Sequence, residues 1–140
     1  MQKISIAMLA VFVLVSLTAQ ADVTSAKQAV KNYQLHAKAL DPNAVVSAEA
    51  GRAFFVKKVV VEGKDLSCSA CHTDNPANLG KHIDSGKVIQ PMAPSVNHKR
   101  FSSVQKAEEK FTEHCKDLYK KDCTAEEKGS FISYLLSVKK

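Results

Sequence analysis

The sequence predicts an all-α fold. Apolar residues recur at helical spacing in four stretches of the chain. Two of those stretches open on Ser or Thr with Gln or Glu three residues later, the pattern of a capping box. No run alternates apolar and polar residues for long enough to make a useful strand. At 140 residues the chain is sized for one domain. With 45% hydrophobic and 24% charged residues it has the composition of a folded protein. Aromatics are few (six Phe, three Tyr, no Trp), which limits the core that side chains alone can build.

The amino terminus reads as an export signal. Lys3 is a short positive region, Ile4 to Leu17 is apolar and uncharged, and Ala19-Gln20-Ala21 has the small-x-small form of a cleavage site. The apolar run is shorter than the ~20 residues a bilayer crossing needs, which argues against an anchor. Residues 1–21 are therefore expected to be removed, leaving 22–140 as one domain in an oxidising periplasm. The net charge of +6 is too dispersed for a nucleic-acid footprint, and no stacking aromatics are set among the lysines.

The first predicted helix covers 23–40, with Val23, Ala26, Val30, Tyr33, Ala37 and Leu40 along one stripe, and Asp41-Pro42 ends it. A second begins near Ser47 and passes Gly51, Phe54 and Phe55 towards Val59, although Val59-Val60-Val61 also suits an extended piece. Residues 62–100 collect Gly63, Pro76, Gly80, Gly86, Pro91 and Pro94. This is a long irregular stretch with room for one short helix, of the kind that is functional or wrapped round a ligand. Ser102 to Gln105 opens a third helix carrying Val104, Ala107, Phe111, Cys115 and Leu118, with His114 beside them. Thr124 to Glu127 opens the last, which buries Phe131, Tyr134, Leu135 and Val138.

Inside the irregular stretch, Cys68-Ser69-Ala70-Cys71-His72 is C-x-x-C-H, the attachment signature of a c-type haem. The spacing follows from the chemistry. Two thiols three residues apart reach the two vinyl groups on one side of a porphyrin, and the adjacent His lies under the iron. A thioredoxin-type dithiol needs a βαβ setting that the sequence lacks. A four-thiolate zinc site would need a second close pair, whereas Cys115 and Cys123 have seven residues between them. The expected architecture is thus a helical fold wrapped round one covalent haem c, whose bulk completes the Trp-free core.

Gly51-Arg52-Ala53-Phe54-Phe55 ahead of the attachment motif resembles the first helix of class I c-type cytochromes, where the Gly lets the last helix cross closely. The likeness extends further. Ser67 to His72, Ser85-Gly86-Lys87-Val88-Ile89-Gln90-Pro91, Ala93-Pro94-Ser95, Arg100-Phe101, Cys115 and Asp122-Cys123-Thr124 with Glu127-Lys128 together resemble the SHP family, the sphaeroides haem protein group. That resemblance spans roughly residues 47–138. It implies a monohaem, class I-like cytochrome that exchanges electrons with a dihaem c-type cytochrome. It also implies a distal Asn, next to a disulfide cysteine, that releases the iron on reduction for oxygen or nitric oxide.

Here the residue before Cys115 is His114, so this chain departs from the pattern at the ligand itself. His72 and His114 are accordingly the expected axial pair, with Met92 in Pro91-Met92-Ala93-Pro94 as runner-up. An imidazole binds iron more strongly than an amide, so the expected iron stays six-coordinate in both redox states and at a lower potential than a His/Met site. Cys115 and Cys123, left over after haem attachment in an oxidising compartment, are expected to pair. His36, His82 and His98 read as surface residues, and Lys87, Lys99 and Arg100 as candidates for the haem propionates or a docking face. No nucleophile or acid–base constellation points to a hydrolase or transferase. Whether the chain is an enzyme stays open between an electron carrier, which is favoured, and a haem protein that binds or processes a diatomic gas.

Overall fold

A computed structural model describes residues 18–140. The larger part of the expected export segment, residues 1–17, lies outside the described residues. Among those that are described, no helix is long and apolar enough to cross a membrane.

Helix α1 (Thr18–Leu40) turns out at Asp41 and Ala44, whose N–H groups donate to the carbonyls of Ala37 (2.8 Å) and Asp41 (2.9 Å). Ala26, Ala29 and Ala37 are its buried positions, whereas Leu40, expected on the stripe, is 75% exposed. Small residues on that face let α1 lie close to the last helix.

Helix α2 (Ala48–Val56) starts at Ser47, whose hydroxyl accepts the Ala50 N–H at 3.1 Å, and buries Gly51, Phe54 and Phe55. It stops at Val56 rather than reaching Val59. Lys57 is extended, and Val59–Val61 (β1) pairs antiparallel with Lys64–Leu66 (β2) through a tight turn at Glu62 and Gly63, both at positive φ. Three β-branched residues in a row favour the extended form over a further helical turn. A second small ladder joins Gly80–Lys81 (β3) to Val88–Ile89 (β4). Between the ladders Cys68–His72 forms the one-turn helix α3.

Helix α4 (Val104–Tyr119) is capped by Ser103, whose hydroxyl accepts the Lys106 N–H at 3.2 Å. The cap is therefore one residue later than the expected Ser102, and Gln105 instead bonds Glu109 along the helix. The expected box on helix α5 (Ala125–Ser137) is present in both directions: Thr124 accepts the Glu127 N–H at 3.1 Å, and the Glu127 carboxylate accepts the Thr124 N–H at 2.8 Å.

The core forms where α5 packs against both α1 and α2. Phe55, Ile132 and Leu135 are fully buried there, and Phe131 meets Phe54, Phe55 and Phe111 at ring separations of 6.2, 6.2 and 5.5 Å. Gly51 makes the α2–α5 crossing possible. A Cβ at that position would collide with the Ser130 carbonyl and lie 2.8 Å from the Tyr134 Cβ. The helical class is the one the periodicity predicts; the two short hairpins lie outside that prediction, apart from the extended form offered for Val59–Val61.

Candidate haem site

The attachment segment is fixed by local chemistry. Ser67, extended and buried, caps α3 by accepting the Ala70 N–H at 3.1 Å. One helical turn then brings Cys68 to the same face as Cys71 and His72, three and four residues on. Thr73 ends the turn at φ 61 and ψ 169, a region largely reserved for glycine, and its hydroxyl donates to the Asn75 carbonyl at 2.9 Å. The chain then doubles back so that Gly80 lies directly on the attachment turn. A Cβ on Gly80 would overlap the Cys71 carbonyl and stand 3.1 Å from the His72 Cα.

Cys68, Cys71 and His72 open onto a cleft of about 650 Å³, within the ordinary range for a bound cofactor. Its walls are apolar, from Phe54, Leu66, Met92, Phe101, Phe111 and Phe131. His114 stands on the same cleft, supplied by α4. Both cysteines of the motif are free thiols, whereas Cys115 and Cys123 are bonded to each other with Cα atoms 5.7 Å apart. That bond joins the last turns of α4, next to His114, to the segment that caps α5.

The two imidazoles sit in different surroundings. His72 is partly buried, and desolvation, helped by the charges of His114 and Arg100, pulls it down to about 4. It is therefore the neutral imidazole that a metal requires. His114 is exposed on the cleft side of α4, and its Nδ1 donates to the Lys110 carbonyl at 2.9 Å. That bond leaves the Nε2 lone pair free. Burial likewise pushes the Cys68 thiol up to about 11, so it is uncharged at neutral pH.

Met92 lies in the same cleft, buried, with its N–H and that of Ala93 donating to the Pro76 carbonyl at 2.8 and 3.0 Å. Arg100 lines the cleft, and desolvation lowers its pKa, while Lys87 and Lys99 are exposed outside it. His82 stands exposed at the rim, its Nδ1 accepting the N–H groups of Asp84 and Ser85 at 3.3 Å each. His36 and His98 are exposed and away from the cleft.

Two site residues carried no signal in the sequence. Gly80 sat among several turn-forming glycines. Tyr119 lies one position beyond the stripe that ends at Leu118. Its hydroxyl is buried with no hydrogen-bond partner, and burial raises it to about 12, with Cys68 contributing. The residues present therefore fit a c-type haem: a deep apolar cleft, two free thiols at its wall, two imidazoles, one guanidinium for carboxylates, and a buried hydroxyl that the protein leaves unsatisfied.

Comparison with known proteins agrees. Residues 41–135 match a family model described as a domain of unknown function, DUF1924. Cytochrome c'' of Methylophilus methylotrophus is 46% identical over 132 residues, covering 92% of both chains. The cytochrome c-type protein SHP of Cereibacter sphaeroides is 31% identical over 113 residues, covering 80% of this chain and 83% of the other. The crystal structure of oxidised cytochrome c'' superposes with a TM-score of 0.80 at 45% identity, over 85% of this chain and 98% of that one. Oxidised SHP, described as an oxygen-binding cytochrome c, gives 0.68 at 28% identity over 79% and 94%. With a relative nearly half identical along almost its whole length, and with the fold and the cleft to match, this chain belongs to the SHP-type family of monohaem cytochromes, the haem c proteins that include cytochrome c'' and SHP.

Proposed function

We propose that the protein is an exported, periplasmic monohaem cytochrome that carries single electrons, with Cys68 and Cys71 holding the haem and His72 and His114 as its axial ligands. The observation that carries this reading is the convergence of two free thiols and two imidazoles, from two separate helices, on one apolar cleft. Haem c, when bound, supplies a one-electron couple at iron. The chain's own residues do the rest. Cys68 and Cys71 would hold the group through two thioether bonds, and His72 would offer a neutral ring from α3. His114 offers Nε2 from α4 because Nδ1 is committed to Lys110. Phe54, Phe101, Phe111 and Phe131 exclude water, and Arg100, on the same cleft, would meet a propionate. The partner in this reading is a dihaem c-type cytochrome or another redox protein.

A second reading is favoured by one observation. Among the described residues the His114 ring hydrogen-bonds a carbonyl of its own helix, so no hydrogen bond ties it to another element. The solution structure of cytochrome c'' is described in terms of haem-ligand detachment, and SHP as oxygen-binding. These descriptions support a His114 that lets go of the reduced iron, in place of the permanently six-coordinate site that ligand strength alone suggests. A diatomic gas could then enter where His114 left.

Carbon monoxide added to the reduced protein tests both readings. Immediate and complete binding, as fast as in His114→Ala, supports the gas-binding reading. Slow or partial binding that His114→Ala accelerates supports the electron carrier. Export is tested by the amino-terminal residue of the periplasmic protein, expected to be Asp22.

A further inference from the structure

Resting on the assignment of His114 as distal ligand, we propose that Glu108, clasped between Tyr33 and Lys128, is a positioning residue that sets how readily His114 leaves the cleft. Helix α4 faces the cleft with nine of its residues, and of its 16 residues only Ala107, Phe111 and Cys115 are buried against the protein's own side chains. A helix with so narrow a packed face takes its position from a few fixed points. The disulfide of Cys115 is one, immediately after His114. The other lies six residues before His114, at Glu108.

The Glu108 carboxylate joins three helices. One oxygen accepts the Tyr33 hydroxyl from α1, and the other accepts the Lys128 ammonium from α5 at 2.7 Å. Lys128 is 14% exposed and lies over the rings of Tyr33 and Phe111 at 5.9 and 5.8 Å. Tyr33 in turn meets Phe111 edge-on at 6.3 Å, and Phe111 is a wall of the cleft. The same carboxylate thus anchors α4 to two of the three core helices, α1 and α5.

The pair is half-buried, with Glu108 39% exposed, and such a pair contributes little net stability because desolvation and solvent screening offset attraction. It does fix geometry, and removing one partner strands the other. Held at both points, α4 presents His114 at one depth. With the Glu108 point released, α4 swings on the disulfide and His114 withdraws more easily.

The test uses the holoprotein. Glu108→Gln keeps the side chain's shape and an acceptor for Tyr33 but abolishes the ion pair. Loss of a charged hydrogen bond corresponds to roughly a tenfold change. Carbon monoxide association with the reduced protein should therefore rise about tenfold in this variant, and the oxidised spectrum should gain a high-spin component. Glu126→Gln, which weakens the 3.2 Å bond from the Val45 N–H to α5 away from α4, should match the parent in both readouts. In Glu108→Gln/Lys128→Met the stranded ammonium is gone, so the unfolding midpoint should recover while carbon monoxide binding stays fast. If Glu108→Gln behaves like Glu126→Gln, or if binding slows to the parental rate as the midpoint recovers, Glu108 does not position His114. His114→Ala keeps the two ideas apart: an unchanged low-spin spectrum there overturns the ligand assignment, whereas a high-spin spectrum with Glu108→Gln silent overturns only the positioning role.

Discussion

Gly80 shows how a single hydrogen in place of a methyl group shapes the site. Its Cα rests on the backbone of Cys71 and His72 so closely that a Cβ would overlap the Cys71 carbonyl, and backbone has no rotamer with which to yield. Gly80→Ala should therefore shift the attachment turn. The expected outcome is a stability loss of about 1–3 kcal/mol by chemical denaturation and a lower yield of holoprotein; a parental yield and midpoint would contradict it. The motif beneath Gly80 was fully legible in the sequence because covalent attachment demands contiguous residues at fixed spacing. Gly80 and Tyr119 were not, because their roles arise from which distant backbone or cleft they meet. His114 stands between these cases. Its position beside Cys115 was readable, but its exposure and its bond to Lys110 needed the structure.

At the scale of elements, two joints hold the site: the α2–α5 crossing, and the disulfide that ties the last turns of α4 to the segment before α5. Gly51 serves the first. Gly51→Ala would drive a methyl group into the Ser130 carbonyl and against the Tyr134 Cβ at 2.8 Å, so the helices must part. Thermal melting should show a loss of at least about 1–3 kcal/mol; an unchanged midpoint would mean that the crossing has slack. The second joint is the disulfide between Cys115 and Cys123, eight positions apart. Closing so short a loop is worth about 2–3 kcal/mol on the chain-entropy account. A Cys115→Ala/Cys123→Ala protein should melt earlier by a corresponding amount and bind carbon monoxide faster. The capped starts of α2 and α5 were readable because a Ser or Thr cap is a local device. The end of α2 was not, since Val59 to Val61 satisfies either period and only its pairing with β2 decides.

Over the whole molecule, the fold is a core of three helices with a thinner wall, α4 and the irregular stretch 62–100, enclosing a cleft. Phe54, Phe101, Phe111 and Phe131 belong to the core and also line that cleft, so the few aromatics of this Trp-free chain serve both. Haem therefore belongs to the stability of the protein as well as to its chemistry. A Cys68→Ala/Cys71→Ala chain should lose its visible colour and most of its cooperative melting. In the parent, acid–acetone extraction should leave all colour with the polypeptide. Colour passing into the solvent would deny the thioether bonds.

One covalent haem held between His72 and His114 is the arrangement proposed for the loaded protein. The near-infrared and low-temperature electron paramagnetic resonance spectra of the oxidised protein test it most directly. Two imidazoles on the iron predict a low-spin signature with no far-red sulfur-to-iron charge-transfer band, and loss of the low-spin signal in His114→Ala. A sulfur-to-iron band that persists in His114→Ala and vanishes in Met92→Ala would contradict the claim and make Met92 the ligand.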